Sequence, residues 1–258
     1  MATNRVVVTG AATGIGAETV RQMRARGAHV TALDIAEPSD TVDAYVPVDL
    51  GDPAAIDHAV AALEGPFDAL CNIAGLPPRE RLAGPILKVN FLGLRRFTTA
   101  MLDRMAPGGS IVNVASLAGI RWHENLAQVK ALMALPDNAD TAAFCEADGI
   151  DHVRAYNLSK EAVIVWTMAQ TEALIAQDIR MNSVSPAAVA TGILDDFKTA
   201  FGERTAKNIA RVGRTGTPEE IAAVIVFLAS PASGWLKGID IRIDGGTAAL
   251  NISDNLGL

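Results

Sequence analysis

The chain has 258 residues, half of them hydrophobic, and a formal net charge of -7; this suits one large α/β core and supplies no basic face for a nucleic-acid backbone. Two cysteines without a CxxC spacing argue against a disulfide framework or a structural zinc site, and no apolar run is long enough to span a membrane. The first residues lead straight into a strand without a signal-peptide pattern, so a cytoplasmic protein is expected.

Short β-branched runs alternate with segments of helical period. In chain order they are "RVVVTG", a helix over 15–25, "HVTALD", "AYVPVD", a helix over 53–63, "FDALCNIAG", one long helical segment over 86–105, and "SIVNVAS". The alternation resumes with a helix over 154–177, the strand "IRMNSVS", the helix "PEEIAAVIVFLAS" and the strand "IDIRIDGG". This order predicts a parallel sheet of about seven strands, wound through right-handed crossovers with helices on both faces. The basic stretch "RQMRAR" reads as the solvated face of the first helix. Cys71 lies in an apolar strand and reads as core. The tail "NISDNLGL" is expected either to fray or to dock on a neighbouring subunit.

The first strand ends in "TGAATGIG", with Gly10, Ala12, Thr13, Gly14, Ile15 and Gly16. Glycines at a strand-to-helix turn let the backbone approach a pyrophosphate and aim a helix N-terminus at it, although a tight turn uses glycine for steric reasons too. The second strand ends in Asp34, whose carboxylate is placed to accept hydrogen bonds from the ribose hydroxyls of an adenosine. A 2′-phosphate there would meet a like charge, and Ala11, Ala12, Thr13 and Ile35 offer no cation to offset it. NAD is therefore expected over NADP.

With "NIAG", "SIVNVAS" and "YNLSK" in chain order, these motifs resemble the short-chain dehydrogenase/reductase family over essentially the whole chain. The resemblance implies one NAD-binding Rossmann domain over 1–258 and a catalytic set of Asn90, Ser116, Tyr156 and Lys160. It further implies that Asp49 and Leu50 contact the adenine, and that Asn72, Ala74 and Gly75 flank the adenosine ribose. Pro186, Val189 and Thr191 correspond to contacts with the nicotinamide carboxamide. One departure is Ala187, which stands where the family has glycine after this proline.

Tyr156 and Lys160 are four residues apart, hence on one helix face. A nearby ammonium and a positive nicotinamide ring favour phenolate, so Tyr156 is expected to take an alcohol proton or return it to a carbonyl. The resemblance implies that Lys160 also holds the ribose hydroxyls, that Ser116 positions the substrate oxygen, and that Asn90 supports a water leading from Lys160. A non-catalytic NAD-binding module is the alternative from another class, but it would be expected to have lost one of these four residues.

Ser116 and Tyr156 lie forty residues apart, a far longer interval than most family members have. The Ala-rich stretch at about 120–152 reads as one or two inserted helices. The resemblance narrows to two groups with such an insertion, the coniferyl (aryl allylic) alcohol dehydrogenases and the 3α-hydroxysteroid dehydrogenase/carbonyl reductases, both acting on bulky apolar alcohols. Trp122, Leu126, Leu132, Met133 and Phe144 are expected either to roof an apolar substrate pocket, with Trp166 nearby, or only to glue the insertion to the domain. His123 and His152 lack ligand spacing, so no metal is expected. A homodimer or homotetramer is expected, with the insertion obstructing the family's four-helix interface.

Overall fold

The computed structural model describes residues 4–258. Seven parallel strands form one sheet in the order β3-β2-β1-β4-β5-β6-β7. These strands are β1 (Arg5–Thr9), β2 (His29–Asp34), β3 (Ala44–Pro47), β4 (Phe67–Asn72), β5 (Met105–Val114), β6 (Arg180–Pro186) and β7 (Asp240–Ile243). The helices are α1 (Gly14–Ala25), α2 (Pro53–Ala61), α3 (Ala83–Leu87), α4 (Leu94–Met101), α5 (Leu126–Ala134), α6 (Thr141–Ala147), α7 (His152–Ala169), α8 (Thr171–Ile175), α9 (Leu194–Val212), α10 (Pro218–Ala229) and α11 (Thr247–Leu256).

Strand alternation sorts the core into two layers. Val6 and Val8 join Val20 and Met23 of α1 and Ile221 and Ile225 of α10 on one face. Val7, between them, joins Ile56 of α2, Phe91 and Phe97, and Leu158 and Ala162 of α7 on the other. Both faces being covered, the strands need no polar side, which is why they read as continuous apolar runs. The order reverses between β1 and β4, and a cleft opens there beyond the carboxyl ends of the strands.

Helix starts follow local chemistry. Asp52 caps α2 with Pro53 at its first turn, Asp151 caps α7 through the Arg154 amide, and Thr217 and Glu220 form a reciprocal capping box on α10.

The two long expected helices are both interrupted. The segment over 86–105 is α3, then a π-turn over Lys88–Gly93, then α4 and a 3₁₀ turn over Leu102–Arg104; the segment over 154–177 divides into α7 and α8. The tail docks on its own chain, because Arg211 of α9 donates to both carboxylate oxygens of Asp254 in α11, at 2.6 and 3.1 Å.

The insertion consists of α5 and α6 with short 3₁₀ turns. Val129 and Leu132 of α5 are fully buried in the core layer that contains Phe91 and Trp166, and Met133 and Phe144 pack against that layer. Trp166 itself lies edge-on to Phe91 at 6.5 Å. The insertion is glued to α7 and α3 by its apolar side, and it covers the helices that would otherwise present a bare face. A second clamp is polar: Arg154 donates to both oxygens of the buried Glu161, at 2.9 and 2.6 Å, and Asn125 donates to the same carboxylate at 2.9 Å.

Candidate active site

β1 ends at Thr9, and its successor Gly10 takes φ +68, a conformation that disfavours any side chain. A Cβ on Gly10 would stand 2.6 Å from the Ala74 amide nitrogen, and one on Gly16 would stand 1.8 Å from the Gly10 carbonyl oxygen. Loop and helix start are thus pressed together with only backbone between them. The Thr13 side chain makes no capping bond to α1, and the first turn of α1 carries no acid. Its free N–H groups and positive end remain open toward the cleft, which is what a pyrophosphate requires. The residues present therefore fit a dinucleotide.

Asp34 closes the loop from the neighbouring strand, its Oδ2 accepting from the Ala12 amide at 2.9 Å and its Oδ1 from the Ala36 amide at 3.2 Å. Asp49 is held by the Gly51 amide at 2.7 Å. Asp34, Asp49, Leu50, Gly10 and Ala74 line a cavity of about 730 Å³, and Lys88 is a cation in its lining.

A second cavity, of about 320 Å³, contains Ser116, Tyr156 and Lys160 together with Ile15, Gly75, Pro186, Val189 and Thr191. Ala12, Thr13, Gly14 and Gly16 belong to the loop and first helical turn behind Gly10. Asn72 and Asn90 lie beneath these cavities. The Asn72 amide donates to Thr98 Oγ1 and Asn113 Oδ1, each at 2.8 Å, and ties β4 to α4 and β5. Asn90, in the π-turn, accepts from the Leu76 amide at 2.7 Å and donates to the Leu76 carbonyl at 3.0 Å. Its side chain therefore pins the segment beside Gly75, and a Cβ built on Gly75 would have both Asn90 Oδ1 and Lys160 Nζ close by, at 3.3 and 3.5 Å.

Ser116 leaves β5 in an extended conformation, its Oγ accepting from the Ala118 amide at 3.2 Å. Lys160 is buried, and its Nζ donates to the Val114 carbonyl at 2.8 Å and stands 5.9 Å from the centre of the Tyr156 ring. The electrostatics depart from the sequence expectation in a specific way. Burial pushes the Tyr156 phenol up to about 12, against which hydrogen bonding from Ser116 pulls downward. Burial brings the Lys160 ammonium down to about 8. In the protein alone, desolvation outweighs the hydrogen bond from Ser116 that favours phenolate. The phenol is thus not a base near neutrality until further positive charge enters the site.

The sequence suggests that loop geometry over 187–201 sets pocket specificity, but it singles out neither Phe197 nor Phe201, which lie on helix α9. Their rings stack at 6.3 Å and both stand edge-on to Tyr156, at 5.2 and 6.3 Å. The helical segment, kinked at Gly202, was legible in principle, because Asp195 and Asp196 open it and Gly213 ends it with φ +89. Ala187 adopts no left-handed conformation, and its amide donates to the Ile243 carbonyl at 3.2 Å. The alanine is accommodated without backbone strain and lines the smaller cavity. The insertion supplies no residue to that cavity, so Trp122, Leu126, Leu132, Met133 and Phe144 do not roof it, and the gluing alternative describes Trp122, Leu132, Met133 and Phe144. Cys71 and Cys145 are buried, their thiols pushed up to about 12 and about 11 by desolvation, which makes them inert.

Comparison with known proteins bears on this geometry. Residues 4–128 match the short chain dehydrogenase family, and residues 140–248 match a family described as enoyl-(acyl carrier protein) reductase. The coniferyl-alcohol dehydrogenase of Pseudomonas sp. (strain HR199 / DSM 7063) is 41% identical over 249 residues, covering 95% of this chain and 96% of that protein. The 3-alpha-hydroxysteroid dehydrogenase/carbonyl reductase of Comamonas testosteroni is 31% identical over 254 residues, with 95% and 96% covered. Among solved structures, the 3-alpha-hydroxysteroid dehydrogenase from Pseudomonas sp. B-0831 complexed with NADH superposes with a TM-score of 0.85 at 29% identity, covering 96% of this chain and 98% of that one.

Proposed function

The chain belongs to the short-chain dehydrogenase family, and from that membership we propose that it is an NAD-dependent oxidoreductase whose substrate is a bulky apolar alcohol, an aryl alcohol of the coniferyl type. The observation that carries the reading is the meeting of Ser116, Tyr156 and Lys160 in one small apolar cavity, with Phe197 and Phe201 against the phenol.

The roles follow from the chemistry of each group. Ser116 holds the substrate oxygen beside the Tyr156 hydroxyl. Tyr156 takes the hydroxyl proton during oxidation and returns it during reduction. Lys160, held by the Val114 carbonyl, bonds ribose hydroxyls and adds positive charge beside the phenol. Bound NAD supplies hydride acceptance and the charge of its nicotinamide ring. Its adenosine would lie along Asp34, Asp49 and Leu50, and its nicotinamide along Pro186, Val189 and Thr191. Asn90 acts by position, through Leu76.

Phe197 and Phe201 offer an aromatic substrate ring edge and face contacts beside Tyr156. The relative that is 41% identical is a coniferyl-alcohol dehydrogenase. The likeness to the steroid dehydrogenases favours a second reading, a 3α-hydroxysteroid dehydrogenase/carbonyl reductase. Measuring kcat/KM for coniferyl alcohol and for a 3α-hydroxysteroid separates them: the first reading expects the aryl alcohol to be preferred, and a preference for the steroid would replace it with the second.

For the cofactor, Asp34→Ala is expected to narrow the preference for NAD over NADP, because it removes the charge that repels a 2′-phosphate. An unchanged ratio of kcat/KM for the two dinucleotides would refute the role given to this carboxylate. No helix among the described residues is long and apolar enough to cross a membrane. A cytoplasmic homodimer or homotetramer accompanies this reading, joined through a surface other than the one the insertion covers.

A further inference from the structure

The larger cavity has two walls of different origin. The inner wall is Asp34, Asp49 and Leu50, the strand ends expected to meet an adenosine. The outer wall is made by residues 138–142, from the turn that joins the two inserted helices and the first residues of α6. We propose that this inserted turn is a built part of the dinucleotide site, closing over the adenosine, so that the insertion sets affinity for NAD rather than choosing the alcohol. The proposal rests on the dinucleotide reading of the cleft.

The turn is anchored as a binding wall must be. Arg95 of α4 donates to the Met133 and Leu135 carbonyls, each at 2.7 Å, and through Nε to Asp137 at 3.0 Å. These bonds hold the residues immediately before the turn. On its far side, Thr141 Oγ1 donates to the Gly84 carbonyl at 2.9 Å. A Cβ on Gly84 would stand 3.0 Å from the Ala142 amide nitrogen, so α3 meets the start of α6 with no side chain of its own at the contact. Preorganisation of this kind lowers the ordering cost of binding.

The chemistry of the slot suits a flat heterocycle with polar edges. Leu50 and Ala139 offer apolar surface, while Asp49 and Asn138 can accept from an exocyclic amine and the Asn138 amide can donate to a ring nitrogen. The cavity at Tyr156, in contrast, draws its apolar surface from α9 and from the segment after β6.

The test uses the intact chain and half-molecules as probes, read by amide hydrogen exchange. Added AMP is expected to slow exchange at 136–143 together with 34–36 and 48–51, whereas nicotinamide mononucleotide leaves 136–143 unchanged. Arg95→Gln is expected to weaken AMP and NAD binding about tenfold by calorimetry, the effect of losing one charged anchor, while the KM for the alcohol at saturating NAD stays the same. Protection by AMP at 34–36 and 48–51 without any at 136–143 would overturn the proposal. So would a folded Arg95→Gln protein with unaltered AMP affinity. If that variant does not fold, the exchange result on the unsubstituted chain decides alone. If AMP and NAD both fail to bind the unsubstituted chain, the dinucleotide reading falls, and this proposal with it.

Discussion

Replacing Tyr156 by phenylalanine is expected to lower kcat by about two to four orders of magnitude, the usual contribution of a positioned acid/base group, while NAD affinity stays nearly unchanged. The substitution removes one oxygen and keeps the ring that packs edge-on against Phe197 and Phe201, so α9 has no reason to move. The pH dependence carries a further signature. Burial holds the phenol near 12 in the protein alone, and bound NAD adds the positive charge that favours phenolate. Oxidation needs the deprotonated form, so kcat/KM for the alcohol should rise with pH along a limb set by Tyr156. Reduction needs the protonated form and should fall along the same limb. Both limbs should flatten in Tyr156→Phe, and steady-state rates over pH 6 to about 11 check this.

Lys160→Met is expected to abolish most turnover and at the same time to stabilise the protein without cofactor. The folded chain releases the Lys160 proton near 8 and the unfolded chain near the ordinary 10.5. Between those values the unfolded chain binds more protons, so folded-state stability rises with pH across that window. Below pH 8 the full cost of burying the ammonium is present, about 3 kcal/mol. Methionine fills the same space without charge and forfeits the bond to the Val114 carbonyl, a loss of about 1 kcal/mol. The net gain of about 2 kcal/mol corresponds to a Tm higher by about 5 °C at pH 7, falling to zero at about pH 10 and reversing above it, where only the lost bond remains. Thermal melts of both proteins across this range test the point, and a variant less stable at pH 7 would show that burial does not dominate at Lys160. A charge kept at such a cost fits the stability commonly given up at active sites.

Much of this was legible in the residues themselves. The parallel sheet follows from short apolar runs between helical segments, and the alternation of Val6, Val7 and Val8 between two core layers is the period of a strand. "TGAATGIG", Asp34, Ser116 and the Tyr156 to Lys160 spacing lead to the groups the fold brings to one cleft. What escaped was long-range placement. Phe197 and Phe201 reach Tyr156 from a helix that follows a later strand, and local periodicity does not say which pocket a helix will close. The insertion shows the same limit. Its apolar residues were compatible with a roof or with glue, and Val129 and Leu132 are glue because they face α7. The polar turn between its helices carried no local mark of the larger cavity it borders. The direction of the Tyr156 shift depended on burial, which spacing alone does not reveal.

The central claim is NAD-linked oxidation of an aryl alcohol at Tyr156. Its most direct measurement is the growth of the reduced-nicotinamide absorbance band when purified protein is mixed with NAD and coniferyl alcohol at alkaline pH. The account predicts steady growth with the unsubstituted chain and almost none with Tyr156→Phe. Tight NAD binding without turnover of coniferyl alcohol, a 3α-hydroxysteroid or, in reverse with NADH, their carbonyl counterparts would contradict it.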